Sequence, residues 1–328
     1  MDNQSRGQSI RIMISQLGEV YDLTKDKDVT NIEVNSHEGK VWKDGVGGHK
    51  FTGIRLSVEK RRAFLSAAAD YCGATIDKEH PSLSTSLPAA LGSCRLEGQM
   101  FPLVKEPSFA LRKPSKKVFP ITDYASNEQI QLIRNAIKNR ENILIAGSTD
   151  SGKTSLLKSI LHLYKDICPN ERMITIEDTE ELVPVLDNTE SFFTAPHIKS
   201  SRNKPMDMEF LLTKTLRKNP DRIIVGEVRD GAAATVLNSW DTGHDGGVCT
   251  FHAGSAKRGY HRFFGALAKL DEGKIADVRK AATNINYVFY INKQADGQRI
   301  IEEIIRVSFN NEEKKVDFNK ITFPSNSK

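Results

Sequence analysis

A glycine-rich segment in the middle of the chain has the residue types and spacing of a phosphate-binding loop. Residues 147–154 read GSTDSGKT, which matches the pattern G-x-x-x-x-G-K-[ST]. In such a loop backbone N–H groups surround phosphate oxygens, Lys153 reaches the terminal phosphates and the Thr154 hydroxyl ligates Mg²⁺. A chance Gly/Ser turn is the alternative. The nucleotide-binding residues predicted are Gly147, Ser148, Thr149, Asp150, Ser151, Gly152, Lys153, Thr154 and Ser155.

Two acidic residues and one histidine lie at the ends of other short apolar runs or directly after them. Glu177 comes directly after the run 173–176, where it can hold the Mg²⁺ hydration shell or the attacking water. A solvated helix start is the alternative for this acidic cluster, and Glu180 and Glu181 are predicted to begin such a helix. The other two candidates, a water-polarising carboxylate and a phosphate sensor, are Glu227 and His252. For Glu227 a structural ion pair with Arg229 is the alternative, and for His252 a hydrogen-bonded bystander role.

These residues can act together only if the elements before them share one sheet edge. The apolar runs 142–146, 173–176, 222–228 and 247–251 alternate with helical stretches. Ser126 and Gln129 form a predicted capping box ahead of one such helix. Strands alternating with helices indicate a doubly wound α/β sheet, whose ligands bind at the carboxyl ends of the strands.

The residues before this region have a different pattern. Ile10, Met13, Ile14, Leu17 and Tyr21 recur at helical spacing, and residues 58–71 predict a second amphipathic helix. Short strands are predicted at 31–34 and 40–42, so this part is a small α+β domain. The prolines and cations between 112 and 120 indicate an extended linker, with nucleic-acid contact as the alternative for the basic run. The predicted organisation is 1–112, linker 113–120 and 121–328.

Composition sets limits on location and partners. The 328 residues are 38% hydrophobic, the first residues are polar, and no apolar run approaches the ~20 residues that span a bilayer. We therefore expect a cytoplasmic protein. Four single cysteines suggest neither a zinc site nor a disulfide framework. The net charge of +5 permits contact with an anionic membrane surface or with nucleic acid and requires neither.

Four motifs in this order resemble those of the traffic ATPases of bacterial secretion, most closely the type IV secretion and conjugal-transfer ATPases of the TrbB type. They are GSTDSGKTS, TIEDTEEL, TLRKNPDRIIVGEVRD and TGHDGGVCTFHAGSA, and the resemblance extends back through SFALRKP and CRLEG. It implies a RecA-like P-loop NTPase domain with a smaller PAS-like α+β domain before it. It also implies hydrolysis of ATP with Mg²⁺ by a homo-hexameric ring.

The resemblance also assigns residues to roles. Glu177 falls in the family's Asp box, Glu227 in its Walker B motif and His252 in its His box. Arg95 and Arg112 match positions from which the N-terminal domain approaches the phosphates. Cations there would stabilise the charge that develops on the transferring phosphoryl group.

The function that follows is a motor for substrate transfer or pilus biogenesis in a type IV secretion system. It would lie at the cytoplasmic face of the inner membrane, peripherally associated and docked on channel components. An ATPase of type IV pili or type II secretion is the nearest alternative, although the four-cysteine zinc motif common in the assembly branch is absent. A second alternative is a nucleotide-gated scaffold with little hydrolysis.

The loop departs from the family at Ser148 and Asp150, where glycine is usual. Aspartate is one of the few residues besides glycine that tolerates a positive φ, so the loop can keep its shape. A carboxylate about 5 Å from a phosphate is nevertheless repelled by roughly 3 kcal/mol per charge pair at an effective dielectric of about 20. With partial compensation we expect Asp150 to weaken ATP binding roughly ten-fold.

Overall fold

A computed structural model describes residues 3–115, 117–201, 203–228, 230–268 and 278–323. The chain divides into two compact units, Met1–Ser115 with Ala195–Pro205 and Lys116–Thr194 with Met206–Lys328. The first unit is thus assembled from two separate stretches of sequence. The boundaries 1–112, 113–120 and 121–328 do not anticipate that return of the chain, and they stay a prediction.

The first unit is built on a six-stranded antiparallel sheet. Its helices are α1 (Asn3–Leu17), α2 (Val20–Lys25) and α3 (Val58–Cys72). Its strands are β1 (Val29–Val34), β2 (Lys40–Gly45), β3 (Lys50–Arg55), β4 (Ser82–Ser86), β5 (Arg95–Gln99) and β6 (Ser108–Arg112), in the spatial order β3-β2-β1-β6-β5-β4. Apolar residues of α1, α3 and the strands form one core.

The helices of this unit follow the sequence pattern with one interruption. The helix predicted at 58–71 is confirmed as α3, which begins after Ser57, whose side chain accepts the N–H of Lys60. The periodicity predicted between residues 10 and 21 is broken at Gly18, whose φ of 54° ends α1. Tyr21 therefore lies in the separate helix α2.

The second unit is an eight-stranded sheet with helices on both faces. In chain order its helices and sheet strands are α4 (Asn127–Lys138), β7 (Ile143–Gly147), α5 (Lys153–Ile167), β8 (Met173–Glu177), β9 (Thr189–Phe193), α6 (Met208–Thr215), β12 (Arg222–Val225), α7 (Ala233–Asp241), β13 (Val248–His252), α8 (Ala256–Ala268), α9 (Val278–Asn284), β14 (Tyr287–Lys293), β15 (Arg299–Asn310) and β16 (Lys315–Lys320). Strands β10 (Ala195–Lys199) and β11 (Pro205–Met206) come between β9 and α6 and form a two-stranded ribbon of their own in the segment that returns to the first unit. None of the helices in the described part of the chain is long and apolar enough to cross a bilayer.

The strand order, and the alternation of side chains between the two faces of the sheet, explain how this sheet buries its apolar runs. The order is β16-β15-β14-β7-β13-β12-β8-β9, parallel from β14 to β9 and antiparallel at β15 and β16. Successive residues of β7 enter opposite cores, Leu144 and Ala146 on one face and Ile143 and Ile145 on the other. Because both faces are covered, the strands are continuously hydrophobic. The predicted α/β class is confirmed.

A buried ion pair fixes the amino edge of this sheet. The Arg222 guanidinium is almost wholly buried, and its Nε lies 2.5 Å from Oε2 of Glu171. It also donates to the carbonyl oxygens of Ile137 and Gly246. A Cβ at Gly246 would lie 1.7 Å from Nη1 of Arg222, so only glycine fits beside the guanidinium. The charges at this edge are thus satisfied within the fold.

We predict that Glu171→Ala destabilises the second unit by roughly 2–4 kcal/mol, because it leaves the buried Arg222 charge unpaired. The matched control is Glu190→Ala, which removes the half-exposed carboxylate paired with Arg172 and Lys218 and should cost less than about 1 kcal/mol. Urea unfolding in a Trp42→Phe background, where buried Trp240 is the only tryptophan, reports on the second unit. Equal losses would contradict the role given to Glu171.

Candidate functional site

The strands that precede the predicted site residues end side by side at the carboxyl edge of the second sheet. His252 of β13 pairs with Gly147 of β7, and Val225 of β12 pairs with Ile176 of β8. The loop after β7, the end of β8, the segment after β12 and the end of β13 therefore meet at one edge. This is the position at which open parallel sheets bind ligands.

The loop between β7 and α5 is held tightly at both of its ends. A Cβ at Gly147 would lie 2.4 Å from Oγ of Ser151 and 2.9 Å from the carbonyl oxygen of Ile291, so a larger residue does not fit. At the other end Gly152 caps α5 with φ 95°, a left-handed conformation that favours glycine. The motif glycines therefore have steric reasons to be glycine.

The donors inside the loop form a set that suits an anion. The buried ammonium of Lys153 donates to the carbonyl oxygens of Gly147 at 3.1 Å and Ser148 at 2.9 Å. The Ser151 hydroxyl is also buried, and within the described residues it has no hydrogen-bond partner. Together with the positive end of α5, these groups fit a phosphate.

The remaining loop residues lie outside this group of donors. Ser148, Thr149 and Asp150 are exposed, whereas Thr154 and Ser155 are half-buried in the first turn of α5. The Tyr124 side chain hydrogen-bonds to Ser155. No group of three or more His, Cys, Asp or Glu side chains in the described ranges is placed to hold a metal ion. Mg²⁺ in nucleotide sites is usually held by one or two protein oxygens together with substrate phosphates.

Glu177 is the last residue of β8 and is buried rather than solvated. Its Oε1 accepts the N–H groups of Glu181 at 3.2 Å and Leu182 at 3.0 Å. Burial outweighs these bonds and raises the pKa of Glu177 to about 7. The side chain packs against Gly226, where an added Cβ would lie 3.1 Å from Cγ of Glu177. The carboxyl is therefore near its titration point at neutral pH.

The helix predicted at Glu180 and Glu181 is absent, which corrects that expectation. Residues 178–186 carry no helix, and Pro184 would remove a hydrogen bond from the interior of any helix beginning at 180. Glu181 instead lies 3.7 Å from the ammonium of Lys158, a residue of α5 that is only 2% exposed. Burial lowers the pKa of Lys158. The sequence signal for it is a single charged residue in the segment 156–161, LLKSIL, which has two apolar residues on each side of Lys158 and Ser159.

Glu227 lies beyond the strand in which the sequence placed it. Strand β12 ends at Val225, two residues earlier, and the Glu227 side chain is exposed rather than buried. The residues on either side of it fix the backbone, because the N–H of Gly226 donates to the carbonyl oxygen of Ile176 and the N–H of Val228 donates to that of Thr250. Arg229, the alternative partner of Glu227, lies outside the described residues. The carboxylate thus stands on a fixed segment at the site edge.

His252 borders a basic cavity of about 480 Å³. The cavity is lined by His252, Ala253, Gly254, Arg258, His261 and Arg262. Arg262 donates to the carbonyl oxygen of His252 at 2.9 Å, which holds the end of β13 to α8. Neither Arg258 nor Arg262 is among the residues predicted from the sequence, although two cations four residues apart on one amphipathic helix are a visible signal.

Arg95 and Arg112 lie in the first unit, directly opposite each other on β5 and β6. Arg112 is exposed and Arg95 is half-buried. Neither guanidinium has an ion-pair partner among the residues that the structure describes. Like charges directly opposite across a sheet are destabilising, so this placement needs a compensating anion or a functional reason.

Comparison with known proteins agrees with the predicted resemblance. The family model described as Type II/IV secretion system protein matches residues 85–272, more than half of the chain. The probable conjugal transfer protein TrbB of Sinorhizobium fredii is 32% identical over 303 residues, covering 90% of this chain and 89% of the relative. The type IV secretion system protein VirB11 of Bartonella quintana is 28% identical over 342 residues, covering 90% and 93%.

A solved structure supports the architecture. The Legionella pneumophila ATPase DotB superposes with a TM-score of 0.64 at 17% identity, covering 93% of this chain and 82% of that chain. The predicted fold, a RecA-like unit with a smaller N-terminal unit, is therefore confirmed. From the family match and the identity to TrbB, we conclude that this chain belongs to the Type II/IV secretion system protein family.

Proposed function

We propose that this chain binds ATP with Mg²⁺ at residues 147–155 and hydrolyses it as the motor of a type IV secretion or conjugal transfer system. The observation that carries the proposal is the convergence of an anion-binding loop and two glutamates at one sheet edge. The names of the relatives, conjugal transfer protein and type IV secretion system protein, support the choice of system.

The loop supplies the phosphate contacts in this proposal. The N–H groups of the loop and of the first turn of α5 would bind phosphate oxygens. Lys153 would exchange its two carbonyl acceptors for oxygens of the terminal phosphates. The Thr154 hydroxyl and the Glu177 carboxylate would hold Mg²⁺, which neutralises charge developing on the transferring group.

The two glutamates have different roles because their surroundings differ. Glu227 stands exposed at the edge, where its carboxylate can accept the proton of an attacking water. Glu177 is buried and capped by two backbone N–H groups, which fixes its orientation. We therefore propose Glu227 as the residue that polarises water and Glu177 as the residue that orients the hydrated metal. His252 would sense the terminal phosphate from the neighbouring strand.

Arg95 and Arg112 would act on the charge of the transition state. Their direct opposition across β5 and β6 concentrates positive charge at one place in the first unit. Cationic groups that meet the transferring phosphoryl group are worth most when they act on charge absent from the product. We propose this role for both residues, as the family resemblance implies.

The same family resemblance is the basis for the proposed assembly. Six copies would form a ring that docks on channel components at the cytoplasmic face of the inner membrane, with anionic lipid as an additional contact. Hydrolysis would drive rigid-body movement about residues 113–120, which powers transfer of substrate or biogenesis of a pilus.

Purified wild-type protein should release phosphate from MgATP, with and without anionic phospholipid vesicles, and Glu227→Gln should remove all but about one part in 10² of that turnover. The amide cannot accept a proton, yet it keeps the size of the side chain, so MgADP binding should stay within two-fold. Glu209→Gln, an exposed glutamate on α6, is the matched control and should turn over normally. Normal phosphate release by Glu227→Gln would move the water-polarising role to another residue.

The pH profile tests the ionisation of Glu177. Since its folded-state pKa is about 7, the carboxylate forms as pH rises from 6 to 8. We expect kcat/KM to rise about ten-fold per pH unit below 7 and to level off above it. His252→Gln should keep this inflection, whereas the residual activity of Glu177→Gln should lose it. A flat wild-type profile from pH 6 to 8 would rule out a required Glu177 carboxylate.

Arg95→Ala and Arg112→Ala should each lower kcat at least ten-fold while weakening MgADP binding less than three-fold, because the arginines act on charge that ADP lacks. The matched control is Arg55→Ala, which removes an exposed arginine of the same sheet that pairs with Glu38. Phosphate release and calorimetry supply the two readouts. Equal losses in both would make Arg95 and Arg112 structural residues.

A further inference from the structure

The carboxylate of Asp150 contacts two cations from a distant part of the chain. Its Oδ1 lies 3.2 Å from Nη2 of Arg299, and its Oδ2 lies 3.3 Å from Nζ of Lys293. The Nε of Arg299 also donates to the backbone carbonyl of Asp150 at 3.3 Å. The negative charge of Asp150 inside the phosphate-binding loop is therefore paired with two positive charges.

Those cations belong to a hairpin that continues the sheet beyond the end of β7. Lys293 is the last residue of β14, Arg299 is the first of β15, and the two pair across the turn. The turn is closed by a 2.7 Å hydrogen bond from Gln294 to Gln298. Strand β14 is in turn bonded to β7, with Ile291 opposite Gly147. The cations are thus carried by regular structure rather than by a mobile loop.

The hairpin touches the phosphate-binding loop at three points. Ile291 closes on Gly147 at its start, and the ion pairs hold Asp150 in its middle. At its end Cδ of Arg299 lies 2.6 Å from where a Cβ of Gly152 would be. Arg299 alone spans two of these points, since its methylenes pack on Gly152 and its guanidinium reaches Asp150.

The backbone at Asp150 explains why an anchor is useful there. Its φ is 58°, a left-handed conformation that an aspartate tolerates but does not prefer. The ion pairs are partly exposed, 69% for Asp150, 47% for Lys293 and 34% for Arg299, so each pair contributes modestly. Two cations on one carboxylate, with a further bond to its carbonyl, make a network in place of an isolated pair.

The net charge of the network also bears on phosphate binding. One carboxylate and two cations leave one positive charge beside the loop, which offsets the repulsion expected from Asp150 alone. The roughly ten-fold loss of affinity expected from the sequence assumes that the Asp150 charge is only partly compensated. With its partners in place, the residue becomes an attachment point for the loop.

We propose that Arg299, assisted by Lys293, is a positioning residue for nucleotide binding that acts through Asp150. It holds residues 148–152 in the curve that presents their N–H groups to phosphate, so its loss lowers affinity for nucleotide and leaves the chemical step intact. The inference rests on the proposed ATP-binding function of the same loop.

A double-mutant cycle on the full-length chain tests the proposal. Arg299→Ala should weaken MgADP binding about three- to five-fold when Asp150 is present, and less than two-fold in an Asp150→Asn background. A charge acting only at long range would give equal losses in both backgrounds. Arg299→Lys, which keeps the charge but not the forked contact, should also weaken binding. The kcat of Arg299→Ala and of Arg299→Lys at saturating MgATP should stay within two-fold of wild type.

A nucleotide-independent measurement separates this inference from the proposed function. Amide hydrogen exchange at 148–152 should speed up several-fold in Arg299→Ala and in Lys293→Met without nucleotide, and should not change in the matched control Lys315→Ala on β16. Unchanged exchange, equal losses in both backgrounds, or a fall in kcat at constant affinity would each overturn the positioning role. Faster exchange in the two variants, combined with a wild-type chain that binds no MgADP, would overturn the ATP-binding function and leave the contact between Arg299 and the loop intact.

Discussion

The site depends on the absence of one side-chain atom at Gly147. The space that a Cβ would need is taken by the hydroxyl of Ser151 on one side and by the carbonyl of Ile291 on the other. Because the chain closes so tightly there, the loop turns back over the end of β7 and encloses the Lys153 ammonium. Because Gly147 has no side chain, β14 can pair with β7 as far as Gly147, the last residue of β7. This pairing places the hairpin between β14 and β15 beside the loop.

The charged residues at the two edges of the second sheet lie in contrasting environments. At the amino edge Arg222 and Glu171 satisfy each other in a nearly closed environment, so their charges stabilise the fold. At the carboxyl edge Glu177 is buried with a raised pKa and Glu227 is left in solvent. Residues with perturbed or uncompensated charge concentrate at functional sites because chemistry needs them there. The contrast between the edges supports assigning the function to the carboxyl edge.

Much of this arrangement could be predicted from local sequence, because strand-ending motifs and apolar runs are short-range signals. The parallel strands, the loop at 147–154 and the shared edge of Glu177 and His252 follow from them. The family assignment rests on the same motifs and is confirmed. What could not be predicted depends on pairing over long distances in the chain. Arg299 meets Asp150 across 149 residues through the register of β14 and β15.

Predictions from local sequence were wrong where tertiary contacts determine the backbone conformation. The acidic run after β8 has the composition of a helix start, yet Glu177 takes the N–H groups of residues 181 and 182 and Leu182 enters the core. Strand β12 was expected to continue to Val228 because its residues are apolar, but it ends where Gly226 begins to pack against Glu177. In both places packing around one buried carboxyl decides the local structure.

The return of residues 195–205 to the first unit has a consequence for biosynthesis. A chain emerging from the ribosome presents its N-terminal residues first, and domains generally fold as units in that order. Here the first unit cannot be completed until β7, α5, β8 and β9 of the second have also been translated. The six strands of the first sheet all precede residue 113, whereas the unit as a whole is completed only by a segment that lies about eighty residues downstream of its last strand.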